Sequence, residues 1–457
     1  MENFDIAIIG GGPGGYVAAI KAAQAGKKAC LIEKDKLGGV CLNQGCIPTK
    51  TMIKSVDVLK TVKNCAKYGV MGVDVSTAVI DMLKLQQQKN KVVRKLVGGV
   101  GYLLKENGVQ VVAGNASFLD KNTITAGNGQ IKADNIIIAT GSSPARLPVP
   151  ISGDAPVVTS AEVLNLNRIP EKMIIIGGGV IGIEFAYIFS QLGAQVTVLE
   201  LLDRILPTVD EEITAEVTKL LRGIGVTINT GSKVIRIEGH KVYFAQEGEE
   251  KAVEADKILM SVGRIPDTGG LNLAAIGVQT ERNAIAVDDH LRTNLANVYA
   301  IGDVNGRMML AHTASAEGIV AVRNILGDDV VMDYTKIPQC IYLQPEVASV
   351  GMTEKQARER YSDIKVGRFP LAANGKASLE GQSVGSIKVI VEPKCNKLLG
   401  AHIYGTHATE MISEMTLALQ LESTAGEIAG TVHPHPTVSE IIPEAFHAAL
   451  GQSIHFI

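Results

Sequence analysis

Cys41 and Cys46 stand five residues apart in Gly38-Gly39-Val40-Cys41-Leu42-Asn43-Gln44-Gly45-Cys46-Ile47-Pro48-Thr49-Lys50. A disulfide needs Cα atoms about 4.4–6.8 Å apart, and this separation meets that across a distorted helical turn. Pro48 is tolerated in a helix's first turn, and Met52, Ile53, Val56 and Leu59 give the helix an apolar face. Cys46 then lies near a helix N-terminus with Lys50 close by, and both favour thiolate. Such a pair does redox exchange. The plainer reading, two inert buried cysteines, is weakened by the glycines, Asn43 and Gln44 between them. Zinc is disfavoured because no second Cys or His pair stands nearby, and no metal is expected. Cys30, Cys65, Cys340 and Cys395 stand alone, so the chain is not a secreted disulfide scaffold.

Gly10-x-Gly12-x-x-Gly15 is followed by Glu33, and Gly177-x-Gly179-x-x-Gly182 by Glu200, with 23 residues from first glycine to acid in both copies. The glycines permit a tight turn and let a pyrophosphate sit on a helix N-terminus, where free N–H groups and the dipole favour negative charge. The acid suits a ribose diol. One such motif is weak; a repeat with strand, helix, second strand and acid in place predicts two bound dinucleotides. Glu200 would repel a 2′-phosphate, so the second site should prefer NAD over NADP, with Arg204, four positions on, as the complication. In His433-Pro434-His435-Pro436-Thr437-Val438-Ser439-Glu440 either histidine could take a proton from a thiol, with a carboxylate to orient the ring.

The elements that must position these groups follow from the pattern. Phe4–Ile9 reads as a buried strand, Tyr16–Ala25 as a helix stopped by Gly26, and Ala29–Glu33 as a strand. Met173–Ile176, Ile183–Leu192 and Val196–Glu200 repeat the unit. Between them a long helical region is expected over roughly Thr49–Lys105, then β-type runs at Val109–Val112 and Ile136–Ala139. Pro144, Pro148, Pro150 and Pro156 mark a linker. A second boundary falls near Gly269-Gly270; the strand-like Asn297–Asp303 leads to a helix at Ala314–Leu326. Beyond Pro338, runs at Ser386–Val391 and Leu399–Ile403 and a helix at Glu410–Leu421 suggest an α+β domain.

The chain of 457 residues is too long for one core and suggests three or four domains. With 44 basic against 47 acidic residues, neither nucleic acid nor an anionic membrane is an expected partner. The apolar stretch Met173–Leu199 carries four glycines and Glu184 in its first half, which fits strand, turn and helix, not a membrane span. The start, Met1-Glu2-Asn3-Phe4-Asp5, resembles neither a signal nor a transit peptide, so a cytoplasmic protein is expected.

These residues together resemble the pyridine nucleotide-disulfide oxidoreductase family across essentially the whole chain. The most specific marks are Gly39-x-Cys41-x4-Cys46 with Pro48 and Lys50, Ala139-Thr140-Gly141, Ile301-Gly302-Asp303, Ala311-His312-Thr313, and His435-Pro436-Thr437 with Glu440. The resemblance implies an α/β fold of two Rossmann-like dinucleotide-binding domains plus a C-terminal α+β interface domain: 1–143 for FAD, 144–270 for NAD, 271–337 returning to the FAD, and 338–457 for dimerisation. It implies a homodimer in which His435, paired with Glu440, serves the disulfide of the other subunit. By the same resemblance Cys41 exchanges with substrate, Cys46 faces the flavin, and Lys50 and Glu184 sit near its reactive nitrogen. Thr140, Gly141, Asp303, Ala116 and Ala311 are implied FAD contacts, and Val234 and Gly263 nicotinamide-nucleotide contacts. The implied reaction oxidises dihydrolipoyl groups on the lipoyl domains of 2-oxoacid dehydrogenase or glycine cleavage complexes, with NAD+ as acceptor. The alternatives are an NADH-dependent reductase of another small disulfide, and a flavin-bearing assembly subunit.

Overall fold

The computed structural model describes residues 2–456. Its first layer is a seven-stranded sheet ordered Gln110–Ala113, Ala29–Glu33, Glu2–Ile9, Gly129–Ile138, Thr123–Ala126 and Ala116–Asp120, with Val298–Ala300 also pairing parallel to Gly129–Ile138. Ile6, Ala7, Ile8 and Ile9 are all buried, the mark of a parallel strand covered on both faces. Helix Pro13–Gln24 begins three residues before the expected start, because Pro13 fits the first helical position. Gly26, at φ +76°, lies just past its end.

The second unit repeats this design. Lys172–Ile176 pairs in parallel with Gln195–Leu199 and Lys257–Met260 in a five-stranded sheet. Helix Val180–Gln191 is apolar all round because the sheet lies on one side and helix Cys46–Lys63 on the other. The expected linker prolines flank three short strands. One of these, Ser142–Pro144, pairs antiparallel with Arg264–Pro266, so the two chain crossings run side by side.

The long helical region expected over roughly Thr49–Lys105 is two helices, Cys46–Lys63 and Met82–Glu106, with residues 69–81 non-helical between them. Gly69 and Gly72 take positive φ, Val70, Val73 and Val75 are β-branched, and Asp81 caps the second helix by accepting the N–H groups of Leu83 and Lys84.

Leu271, Leu273, Val278, Ile285, Val298 and Val304 share one core with Phe4, Ile9 and Ile138, so segment 271–337 packs back onto the first sheet. Helix Ala311–Ile325 lies on helix Pro13–Gln24 at backbone distance: a Cβ on Gly14 would stand 2.9 Å from the Ala314 carbonyl, and one on Gly318 2.7 Å from the Gly14 carbonyl. The C-terminal sheet, Gln339–Ile341, Glu346–Gly351, Leu398–Gly405, Ser386–Val391 and Lys365–Pro370, is antiparallel throughout. Helices Ala408–Gln420 and Ile441–Ala449 cover one face. A buried charge cluster bolts this sheet to the second unit: Lys388 reaches Asp210 at 2.9 Å and Glu354 at 2.7 Å. No helix among the described residues is long and apolar enough to cross a membrane.

Candidate active site

The two glycine turns are built alike. Gly10 and Gly177 both sit at φ +109°, and a Cβ on them would meet the carbonyls of Ala139 at 2.3 Å and Ser261 at 2.4 Å. Gly15 and Gly182 let helix and strand close on each other: their Cβ atoms would stand 1.8 and 2.1 Å from the carbonyls of Gly10 and Gly177. Glu33 accepts the Gly11 N–H at 2.6 Å and the Asp35 N–H at 2.8 Å. Glu200 accepts those of Gly178 and Leu202 at 2.5 and 2.8 Å. Each acid is thereby held at the lip of its own turn.

One cavity of about 1360 Å³ runs along both turns. It is larger than a usual pocket for one small ligand, roughly 300–1,000 Å³. Gly10, Gly12, Glu33, Ala116, Thr140, Gly141, Asp303 and Ala311 line one end, and Gly177, Gly179, Glu200 and Gly263 the other. Cys41, Cys46, Lys50 and Glu184 line it too. Gly15 and Gly182 lie beneath the turns. Val234 does not line the cavity; its side chain packs with Ile174, Ile176 and Phe244.

The thiols are set by a helix break. Gly39–Gln44 forms one short helix from Gly38, at φ +86°, and Gly45 takes φ −144° and ψ −112° before the next helix opens at Cys46. Asn43 ties the segment down by donating to the Leu37 and Gly39 carbonyls. Across this break the side chains of Cys41 and Cys46 face one another, close enough to hydrogen-bond as thiols. The hydrogen bond from Cys41 pulls the Cys46 thiol down to about 7 against the effect of burial, with Lys50 adding to the pull. The same bond, with burial, pushes Cys41 up. Cys46 is therefore the sulfur that ionises first.

Lys50, one turn along that helix, pairs with the buried Glu184 at 2.7 Å and lies 4.6 Å from the centre of the Tyr342 ring. Glu184 also accepts the Tyr342 N–H at 3.0 Å. Asp303 accepts from Ser142, which in turn receives the Arg264 Nε at 2.7 Å. Buried Glu317 holds the next turn, accepting from Gly302, from Asn305 at 3.0 Å and from Tyr334 at 2.6 Å, and burial raises its carboxyl. Ser142, Arg264, Tyr342 and Glu317 carry no local sequence signal, since each acts through a neighbour far along the chain.

His435 is exposed, outside the cavity, and its Nδ1 lies 2.8 Å from Glu440. His433, the other histidine, is paired instead with Glu414 at 3.1 Å. The thiol pair and the His–Glu pair are thus each well formed, and one chain does not bring them together. No group of three or more His, Cys, Asp or Glu among the described residues is arranged to hold a metal ion.

Family models for pyridine nucleotide-disulphide oxidoreductase match residues 4–318, and those for its dimerisation domain match residues 337–446. The chain belongs to the pyridine nucleotide-disulphide oxidoreductases. It is 41% identical to a dihydrolipoyl dehydrogenase of Bacillus subtilis over 99% of each chain. Among solved structures it is similar to LpdA from Mycobacterium tuberculosis, with TM-score 0.89, 26% identity, and coverage of 98% of this chain and 99% of that one. It is also similar to the HOCl-induced flavoprotein disulfide reductase RclA from Escherichia coli, with TM-score 0.85, 30% identity, and coverage of 97% and 99%. As a member of this family the protein is an oxidoreductase that uses FAD and NAD, and its C-terminal sheet belongs to a dimerisation domain. The cradles fit such cofactors: both turns exclude any side chain at their first and third glycines, while a Cβ at Gly179 would meet nothing within 4 Å. Each helix N-terminus offers N–H groups with no intrahelical acceptor.

Proposed function

We propose that the protein is a dihydrolipoyl dehydrogenase, oxidising protein-bound dihydrolipoamide with NAD+ through Cys41 and Cys46. The observation that carries this reading is the shared cavity, in which two unequal thiols stand beside both dinucleotide cradles. The curated relatives, near 40% identical over full length, bear the same name. Residues 1–143 with 271–337 would hold FAD through Gly10, Gly12, Glu33, Thr140, Gly141 and Asp303, with Ala116 and Ala311 beside it. Residues 144–270 would hold NAD through Gly177, Gly179, Glu200 and Gly263. Residues 338–457 would form the interface between two copies.

In the oxidised enzyme Cys41 and Cys46 are joined. His435 of the partner subunit, oriented by Glu440, takes a proton from one substrate thiol, and the resulting thiolate attacks Cys41. The Cys41–Cys46 bond breaks and Cys46 leaves as thiolate, stabilised by its helix N-terminus and by Lys50. The second substrate thiol then attacks the mixed disulfide, closing the oxidised lipoyl ring and releasing Cys41 as thiol. FAD held in the first cradle would supply the sink for the electron pair as Cys41 and Cys46 are rejoined, and NAD+ held at Gly177, Gly179 and Glu200 would be the final acceptor. Glu184 holds Lys50 in place throughout.

The partners on this reading are a second copy and the lipoyl domains of an acyltransfer complex. The test is anaerobic reduction of the purified flavoprotein with dihydrolipoamide. Long-wavelength thiolate absorption should appear and be discharged by NAD+ but not by NADP+. A protein that dihydrolipoamide leaves fully oxidised does not have this function.

A further inference from the structure

The first basic residue after Glu200 does not face the cavity that Glu200 lines. Its backbone is fixed: Ile205 and Leu206 are buried, Leu206 donates to the Gly178 carbonyl at 2.9 Å, and Ile205 packs against Gly178 itself. The Arg204 side chain alone decides where the charge goes. Its guanidinium donates to the Pro207 carbonyl at 2.9 Å and pairs with Glu211 at 2.7 Å. Arg204 therefore lines a separate open groove of about 640 Å³, shared with Glu211, Thr218, Lys219 and Arg222.

We propose that Glu211 is a specificity-determining residue for the nicotinamide dinucleotide, acting by withholding Arg204 from the ribose end of the site. An arginine fork is the natural partner of a phosphate, because its planar donors match the oxygens two at a time. With Glu200 repelling a 2′-phosphate and Glu211 holding back the nearby cation, the site discriminates twice. This inference rests on the reading that the second glycine turn binds NAD. The Arg204–Glu211 pair is largely exposed, at 30% and 60%, so it contributes little energy and its release has a modest effect.

The test uses isothermal titration of the purified flavoprotein with NAD+ and NADP+. Compared are the unaltered protein, Glu200→Ser, Glu200→Ser with Glu211→Gln, and the same pair with Arg204→Gln added. Glu211→Gln should tighten NADP+ binding roughly two- to fivefold in the Glu200→Ser background. That gain should shrink at high salt and vanish when Arg204→Gln is present. An unchanged NADP+ affinity, or a gain that survives Arg204→Gln, overturns the proposal while leaving NAD+ binding intact. Absence of NAD+ binding to the unaltered protein overturns the cofactor reading and this inference with it.

Discussion

After each acid the chain returns to dock on its own glycine turn: Gly38 donates to the Gly11 carbonyl at 2.8 Å, and Leu206 donates to the Gly178 carbonyl at 2.9 Å. What the returning loop carries differs. In the first unit it brings Gly39 so close that a Cβ there would lie 2.7 Å from Gly12 Cα, then opens into the two thiol-bearing helices. Helix Ala311–Ile325 closes the same unit from the other side through Gly14 and Gly318. In the second unit the loop carries Arg204 and leads to helix Glu211–Gly223; Gly179 is uncrowded and Val180 is exposed. One cradle is thus enclosed and coupled to the sulfur chemistry, while its near-copy stays open. Enclosure suits a cofactor that is retained, openness one that must exchange at each turnover.

Five outcomes would sharpen or break this contrast. Cys46→Ser should lower dihydrolipoamide turnover with NAD+ on the order of 10⁴-fold or more while leaving flavin content unchanged, measured by steady-state rate and visible absorbance. Loss of flavin together with activity would mean that the thiol segment holds the cofactor rather than reacting. His435→Gln should slow flavin reduction by dihydrolipoamide about 10²- to 10⁴-fold in stopped flow. A normal reduction rate would remove His435 from the reaction.

Gly39→Ala should deplete bound flavin, since it combines φ +57°, which costs an L-residue roughly 1–2 kcal/mol, with the close approach to Gly12. Gly179→Ala should leave flavin in place and raise the KM for NAD+ about tenfold. Equal flavin loss in both variants would erase the distinction between the units. The smallest effect concerns pH. Lys50 draws the Cys46 thiol down, so Lys50→Met should move the midpoint of thiolate absorption in the reduced protein from about 7 to higher pH, by roughly one pH unit. Glu184 acts in the opposite direction, so a downward move for Lys50→Met would contradict the assigned electrostatics.

Both βαβ units were legible in the sequence because their signals are local: glycines at fixed offsets, a short apolar run, an acid at the next strand's end. Strand Ala29–Glu33 has the expected bounds, and the helices differ by a few residues where Pro13 and Val180 start them early. The thiol segment was legible for the same reason. The break over residues 69–81 was missed because two helices with apolar stripes look continuous when the glycines between them are discounted. Arg264 and Ser142, which brace Asp303, lie 122 residues apart, and Tyr342 meets Glu184 across 158. No periodicity records such contacts. Val234 shows another limit: a short match carries a residue name but not the direction of its side chain, which here packs into the core and leaves its backbone to meet a nucleotide.

The first sheet is finished by a strand, Val298–Ala300, made long after the rest of it. The strands between residues 151 and 260 of the second unit pair only with one another, so its sheets need no strand made later. The first unit must wait for Val298–Ala300 and for helix Ala311–Ile325 before its edge and its helix face are covered. A nascent chain stalled before residue 298 should therefore present an incomplete cradle upstream of a finished one, and cofactor capture becomes a late event in synthesis.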